Sequence, residues 1–85
     1  MRVVFDQAKD EINRRKHGVS LAAAAELRVL AVVEDRRVDY GERRFNGYGL
    51  IEDVGYCLTF TLRARSMRAI SLRRARNKEM RRYVF

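Results

Sequence analysis

Tyr56-Cys57-Leu58-Thr59-Phe60-Thr61-Leu62-Arg63 is the stretch on which the fold turns. Tyr56, Leu58, Phe60 and Leu62 point one way, and Cys57, Thr59, Thr61 and Arg63 the other. That is the period-2 pattern of a half-buried strand. Ala64-Arg65-Ser66 turns the chain, and a further strand follows over residues 67–75. There Ile70 and Leu72 are expected on one face, with Ala69, Ser71 and Arg73 on the other. Upstream, Glu52-Asp53-Val54-Gly55 reads as a hairpin turn. Before it lies a run over 43–51 whose Gly47 and Gly49 predict a bulge or a close backbone approach. The β-branched run Val29 to Val33 adds another strand, with the charged segment Glu34 to Glu42 as the loop or strand end after it.

The first third of the chain has a different period. Arg2 to Phe5 reads as a short opening strand. Asp6 is a helix N-cap, Gln7 to Lys16 a polar helix, and Gly18 its left-handed terminator. Ser20 looks like a second N-cap, opening an Ala-rich helix from Leu21 to Arg28. Residues 77–83 close the chain as a short helix. The order predicts an α+β domain with a small antiparallel sheet of four to five strands. An N-terminal helical hairpin is expected on one face and a short C-terminal helix at the other end. At 85 residues the chain is read as one domain, 1–85, with room for a single core. No signal peptide and no membrane-spanning run is expected, which predicts the cytoplasm.

Charge is concentrated in one place. From Arg63 onward nine basic residues face Glu79 alone, and this excess equals the formal net charge of +8 for the whole chain. Arg dominates, and a planar guanidinium grips phosphate bidentately where an ammonium cannot. The stretch predicts contact with a polyanion, RNA or DNA, with Arg63, Arg65, Arg68 and Arg74 as binding residues. If the helical hairpin covers the Leu58, Phe60, Ile70 and Leu72 face, the open face presents Thr59, Thr61, Arg63, Ser71 and Arg73. Arg76, Glu79 and Tyr83 fall at i, i+3 and i+7 on one side of the last helix. Next to Arg73 these three form a possible site. Equally, Tyr83 anchors the helix to the sheet and Glu79 pairs with Arg76 or Arg82; from the residues alone the anchor is the favoured reading for Tyr83, while Arg73 stays open.

His17 is the only histidine, so a two-histidine acid/base pair within one chain is ruled out. It reads as a helix C-terminal cap, with a lone acid or base as the other role. Cys57, the single cysteine, reads as a small core residue. No Gly-rich phosphate loop, zinc spacing or carboxylate cluster stands out, and no cofactor is expected. A nuclease built from these residues would be metal-free. It would activate a ribose 2′-hydroxyl and stabilise the phosphorane with Arg or Lys, which points to RNA.

Three parts of the sequence together resemble the BrnT family of toxins from type II toxin–antitoxin pairs. The first is Phe5-Asp6, Lys9, Asn13 and Lys16-His17-Gly18-Val19-Ser20. The second is Gly41-Glu42-Arg43-Arg44-Phe45 with Gly49. The third is Ile70-Ser71, Arg73-Arg74-Ala75, Arg76, Glu79 and Tyr83. The chain departs from many relatives in lacking an aspartate–proline pattern within Val29 to Val38, and it has no proline. The resemblance implies a RelE-like fold and a metal-independent ribonuclease that blocks translation in bacteria. It also implies a BrnA-type antitoxin that neutralises the toxin, with promoter DNA met only through the complex. The family positions carried over are Lys16, His17, Arg73, Arg76, Glu79 and Tyr83, with His17, Arg73, Arg76, Glu79 and Tyr83 as the catalytic candidates. The other expectation is a module that binds nucleic acid or an acidic protein through the same Arg cluster without catalysis. Its mark would be salt-sensitive binding and no cleavage products.

Overall fold

The computed structural model describes residues 2–85. Strand β1 (Arg2–Val4) leads into helix α1 (Gln7–His17), then a 3₁₀ helix (Leu21–Glu26). Four strands follow, β2 (Arg28–Asp35), β3 (Arg44–Ile51), β4 (Val54–Arg63) and β5 (Ser66–Arg74), and helix α2 (Asn77–Tyr83) ends the chain. The five strands form one sheet in the order β1-β5-β4-β3-β2. The fold is α+β, but the sheet is mixed. β2 to β5 are antiparallel neighbours, whereas β1 lies parallel to β5, with Val3 opposite Met67. A short first strand that must reach the far edge of a four-stranded meander has no hairpin to reverse it, so its direction is free.

The expected helical hairpin is also corrected. Only α1 is an α-helix on that face, and the Ala-rich run is a 3₁₀ helix that stops at Glu26. Its spacing explains why. Leu21 is wholly buried, Ala24 nearly so, and Leu27 packs against the same cluster. Residues three apart line up in a helix of three residues per turn, not in one of 3.6. The run starts where Asp10, buried in α1, accepts the Ser20 hydroxyl at 2.9 Å and the Leu21 N–H at 2.7 Å. The Leu21 N–H, chiefly, then the Ser20 hydroxyl and Arg14 hold the Asp10 carboxyl below its usual range, against the opposing effect of burial.

Gly18 ends α1 as expected, with φ of 71° and its N–H on the Arg14 carbonyl. Leu21, Ala24, Leu58, Phe60, Ala69 and Leu72 form the core between this layer and the sheet. A smaller cluster of Tyr48, Cys57 and Met80 lies on the opposite face, where α2 packs.

Two register shifts tune the sheet. Between Thr59 and Phe60 the partner on β5 jumps from Ser71 to Ala69, leaving Ile70 as the extra residue. The bulge reverses the expected phase of β5 on its N-terminal side. Ala69, assigned from alternation to the open face, is wholly buried in the core with Leu72, and Ile70 is displaced to the flank of α1. β4 keeps its alternation, although Leu62 is half exposed at the sheet margin and Thr61 is covered. The second shift, at Leu30 of β2, faces Tyr48 and Gly49. A Cβ on Gly49 would stand 2.0 Å from the Arg28 carbonyl oxygen, so the glycine there answers a close backbone approach. The β3–β4 turn is only Glu52 and Asp53, both with positive φ, and Val54 and Gly55 already belong to β4. Among the described residues no helix is long and apolar enough to cross a membrane.

Candidate active site

The site lies on the sheet face away from the core, where β5, the end of α1 and the start of α2 converge. Arg73 points out of β5 opposite Cys57. Its two Nη groups donate to the two Glu79 carboxylate oxygens, each at 2.8 Å, and Nη1 also donates to the Arg74 carbonyl at 3.2 Å. Glu79 Oε1 accepts the Arg76 N–H at 2.9 Å as well, tying down the first turn of α2. The guanidinium hydrogen bonds and the Arg76 N–H hold the Glu79 carboxyl down at about 2, against the opposing effect of burial. The same pairing drives the Arg73 guanidinium further into its charged form. Glu79 thus pairs with Arg73, a partner the helix periodicity did not offer, and not with the side chain of Arg76 or Arg82.

Tyr83, three residues past Met80 on α2, stacks on Tyr48 with ring centroids 4.7 Å apart and planes 19° from parallel. It anchors the helix as expected, and it also lines the site cavity. Burial, then the neighbouring Cys57, pushes the Tyr48 hydroxyl well above the usual phenol range, so it remains a hydrogen-bond donor. Burial pushes the Cys57 thiol up, which suits a packing residue and not a nucleophile.

A cavity of about 400 Å³ opens over this face, its wall carrying His17, Asp35, Asn46, Tyr48, Ser71 and Arg73. Asn46 and Thr59 are tied across the strands, the Thr59 hydroxyl donating to Asn46 Oδ1 at 2.8 Å. A neighbouring cavity of about 590 Å³ shares His17, Arg37 and Arg73 and adds Lys16, Arg74 and Arg76. His17 occupies the last turn of α1, just before the Gly18 cap, and so reaches both.

The fold therefore brings together Lys16, His17, Arg73, Arg74, Arg76, Glu79 and Tyr83 from two distant stretches of sequence, 16–17 and 73–83. It does not bring Arg63, Arg65 or Arg68 to the same place. These lie at the β4–β5 turn, and Arg68 is five residues from Arg73, ~16 Å along an extended strand. Arg63 is paired with Glu42 at 3.4 Å. The open face is smaller than predicted for the same reason. Arg63 belongs to the far end, and Thr61, 2% exposed, lies beneath its neighbours.

Sequence reasoning missed Asp35, Arg37, Asn46 and Tyr48. Asp35 and Arg37 stand inside a charged run that reads as a loop or strand end, Asp35 closing β2, with nothing local to mark one carboxylate as buried. Tyr48 carries a usable signal: it falls between two strand glycines, and strand alternation puts it on the face of Cys57, its partner in the ladder.

The arrangement offers a fixed cation for a tetrahedral or pentavalent anion, one imidazole, a buried phenol and a rim of further cations. The carboxylates nearest it, Asp35 and Glu79, are each committed to an arginine. Among the described residues no three His, Cys, Asp or Glu side chains are placed to hold a metal ion.

No curated protein matches the chain. Residues 5–79 match the family model described as the ribonuclease toxin, BrnT, of type II toxin–antitoxin systems. That span contains β2 to β5, α1 and the Arg73–Glu79 pair, and by it the chain belongs to the BrnT family of ribonuclease toxins.

Proposed function

We propose that this chain is a metal-independent endoribonuclease that cuts RNA in the bacterial cytoplasm, inhibits translation and is neutralised by a BrnA-type antitoxin. Promoter DNA would be met only through that complex. The observation that carries the reading is the Arg73 guanidinium, locked by Glu79 and facing a cavity shared with His17 and Tyr83. The two helices α1 and α2, framing one sheet, support reading the fold as RelE-like.

In the proposed reaction the ribose 2′-oxygen attacks the adjacent phosphorus. The O2′–P bond forms, the P–O5′ bond breaks, and the products are a 2′,3′-cyclic phosphate and a 5′-hydroxyl. Arg73 meets the charge that grows on the phosphorane oxygens, where a preorganised donor stabilises the transition state more than the ground state. Glu79, ionised and doubly hydrogen-bonded, is too weak a base at neutral pH to take the 2′-proton efficiently, so it positions Arg73. His17, the only imidazole, takes the 2′-proton as the O2′–P bond forms, and the leaving O5′ receives a proton from the Tyr83 hydroxyl, which regains it from the imidazolium. Lys16, Arg74 and Arg76 hold the RNA backbone beside the reacting phosphate. Arg63, Arg65 and Arg68 would touch only more distant RNA.

The test is controlled expression in bacteria with growth and primer extension on cellular RNA, comparing the wild type with Arg73→Ala and Glu79→Gln. Growth arrest with new RNA ends, abolished by Arg73→Ala in folded protein, is the expected result. Arrest without new ends would turn the reading into the binding module that uses the same Arg surface. Arrest undiminished in the Arg73 variant would remove that residue from the site.

A further inference from the structure

We propose that the second cavity, walled by Lys16, Arg37, Arg74 and Arg76, is a subsite for the backbone phosphate next to the reacting one, with Arg37 as its outer clamp. The inference rests on the ribonuclease reading above and specifies its substrate as a single strand engaged through at least two consecutive phosphates.

Arg37 is the unexpected member. It belongs to the connection after β2, and in a sequence with 19 basic residues nothing local distinguishes it. The fold singles it out through Asp35, whose side chain is almost wholly buried. Asp35 accepts the Arg37 Nε and Nη2 donors, each at 3.0 Å, together with the Arg37 backbone N–H at 3.2 Å. The Tyr40 hydroxyl closes the same carboxylate at 3.3 Å. One edge of the guanidinium is thereby fixed, and among the described residues its Nη1 donates to nothing. An arginine held this way loses little side-chain freedom when it meets an anion.

Its position matters as much as its rigidity. Arg37 lines both cavities, as do His17 and Arg73, so the two hollows form one trench with Arg73 at the junction. The inner hollow carries Asn46, Tyr48 and Ser71, neutral donors and acceptors suited to a nucleoside. The outer one carries, besides His17, only cations: Lys16, Arg37, Arg73, Arg74 and Arg76. Cations without apolar or neutral partners match a phosphodiester and not a base. A duplex would need a broad groove-spanning surface, whereas a trench closed on one side by α1 admits one strand.

The probes are a fluorescent 2′-O-methylated octaribonucleotide, which cannot be cleaved by 2′-attack, and a dinucleotide with one phosphate. Arg37→Gln and, independently, Arg74→Gln are each expected to weaken octamer binding about tenfold. Each should reduce the slope of log affinity against log salt by about 0.7, the increment that one neutralised phosphate contributes on a single strand. Dinucleotide binding, set by Arg73, should hold in Arg74→Gln, whose residue lines only the outer of the two hollows. Two variants guard against a local effect of freeing Asp35 from its partner. Octamer binding and slope unchanged in both variants, against a wild type that binds and cleaves, would overturn the subsite alone. A wild type that neither binds the octamer nor cleaves RNA would overturn the ribonuclease reading and the subsite with it. Loss of dinucleotide binding in proportion would also overturn the subsite, since the two hollows would then hold one phosphate.

Discussion

Asn13 is the side chain whose removal should cost this fold the most for its size. It sits in α1 with 3% of its surface exposed. Its Nδ2 donates to the Leu72 carbonyl at 2.8 Å and to the Val19 carbonyl at 2.9 Å, while its Oδ1 accepts the Leu72 N–H at 2.9 Å. The reason lies in the sheet. β1 pairs with β5 only over Ser66–Arg68, so beyond Ala69 the outer edge of β5 has no strand beside it. The carboxamide, with a donor and an acceptor side by side, stands in for the missing strand at Leu72. Asn13→Ala would leave three backbone groups without that partner, at about 1 kcal/mol or more for each buried one, so we expect a loss of about 3 kcal/mol. An 85-residue domain has a total stability of about 4–13 kcal/mol, and the variant should show a large drop in urea midpoint. The assay is urea unfolding followed by far-UV circular dichroism, with m compared to confirm that the unfolded states match. Arg15→Ala, on the exposed side of α1, is the control and should shift stability by less than about 0.5 kcal/mol. Asn13→Asp keeps the acceptor but faces a carboxylate to two carbonyls. It should be at least as damaging at pH 7 and partly recover as acid protonates it. A loss under about 1 kcal/mol for Asn13→Ala, at unchanged m, would refute the view that the side chain completes the sheet edge.

Gly49→Ala should destabilise by about 2 kcal/mol or more, because the new Cβ meets backbone of β2 that cannot turn aside. Gly47→Ala, whose Cβ would lie 3.3 Å from the Phe60 ring, should cost less. Paired unfolding curves decide between them, and equal costs would count against the close approach. In acid, Asp35 and Glu79 both have folded pKa values of about 2, below their ordinary 3.8 and 4.5. The folded state then binds fewer protons than the unfolded one, so stability is present above about pH 4.5 and is lost as pH falls toward 2. For Glu79 the contribution, discounted for partial solvent exposure, is about 2 kcal/mol. Denaturant curves at pH 7 and pH 3 should converge by about 1 kcal/mol in Glu79→Gln, the part of that contribution already lost at pH 3; an unaltered difference would show that Glu79 is not linked to folding.

Much of the fold was legible because local rules carried it. Strand alternation in β4, the caps at Asp6 and Ser20, the left-handed Gly18 and the bounds of α2 each depend on residues close in sequence. The Ala-rich run failed for a physical reason. Alanine favours an α-helix, but burial at Leu21, Ala24 and Leu27 rewards a three-residue turn, and six residues are too few for propensity to prevail. The phase of β5 failed at Ile70 because an alternation rule cannot see a bulge set by a neighbouring strand. In the site, residue types were more readable than partners. Arg73 and Glu79 both stand out in the sequence, yet their pairing required the crossing of β5 and α2.

The sequence by itself determined that charge gathers toward the C-terminus, that one histidine must serve any imidazole chemistry, and that strands dominate the second half. These follow from composition and period, which need no knowledge of distant contacts. Only the tertiary structure decided which arginines lie together. It divided the basic stretch between the two ends of β5, gathering Arg73, Arg74 and Arg76 with Lys16 and His17 and leaving Arg63, Arg65 and Arg68 at the opposite turn. It also recruited Arg37 through a buried Asp35 that no local pattern marks. A strand advances about 3.3 Å per residue, so neighbours in a charged run separate quickly in space, while a sheet edge and a helix end can join residues far apart in the chain.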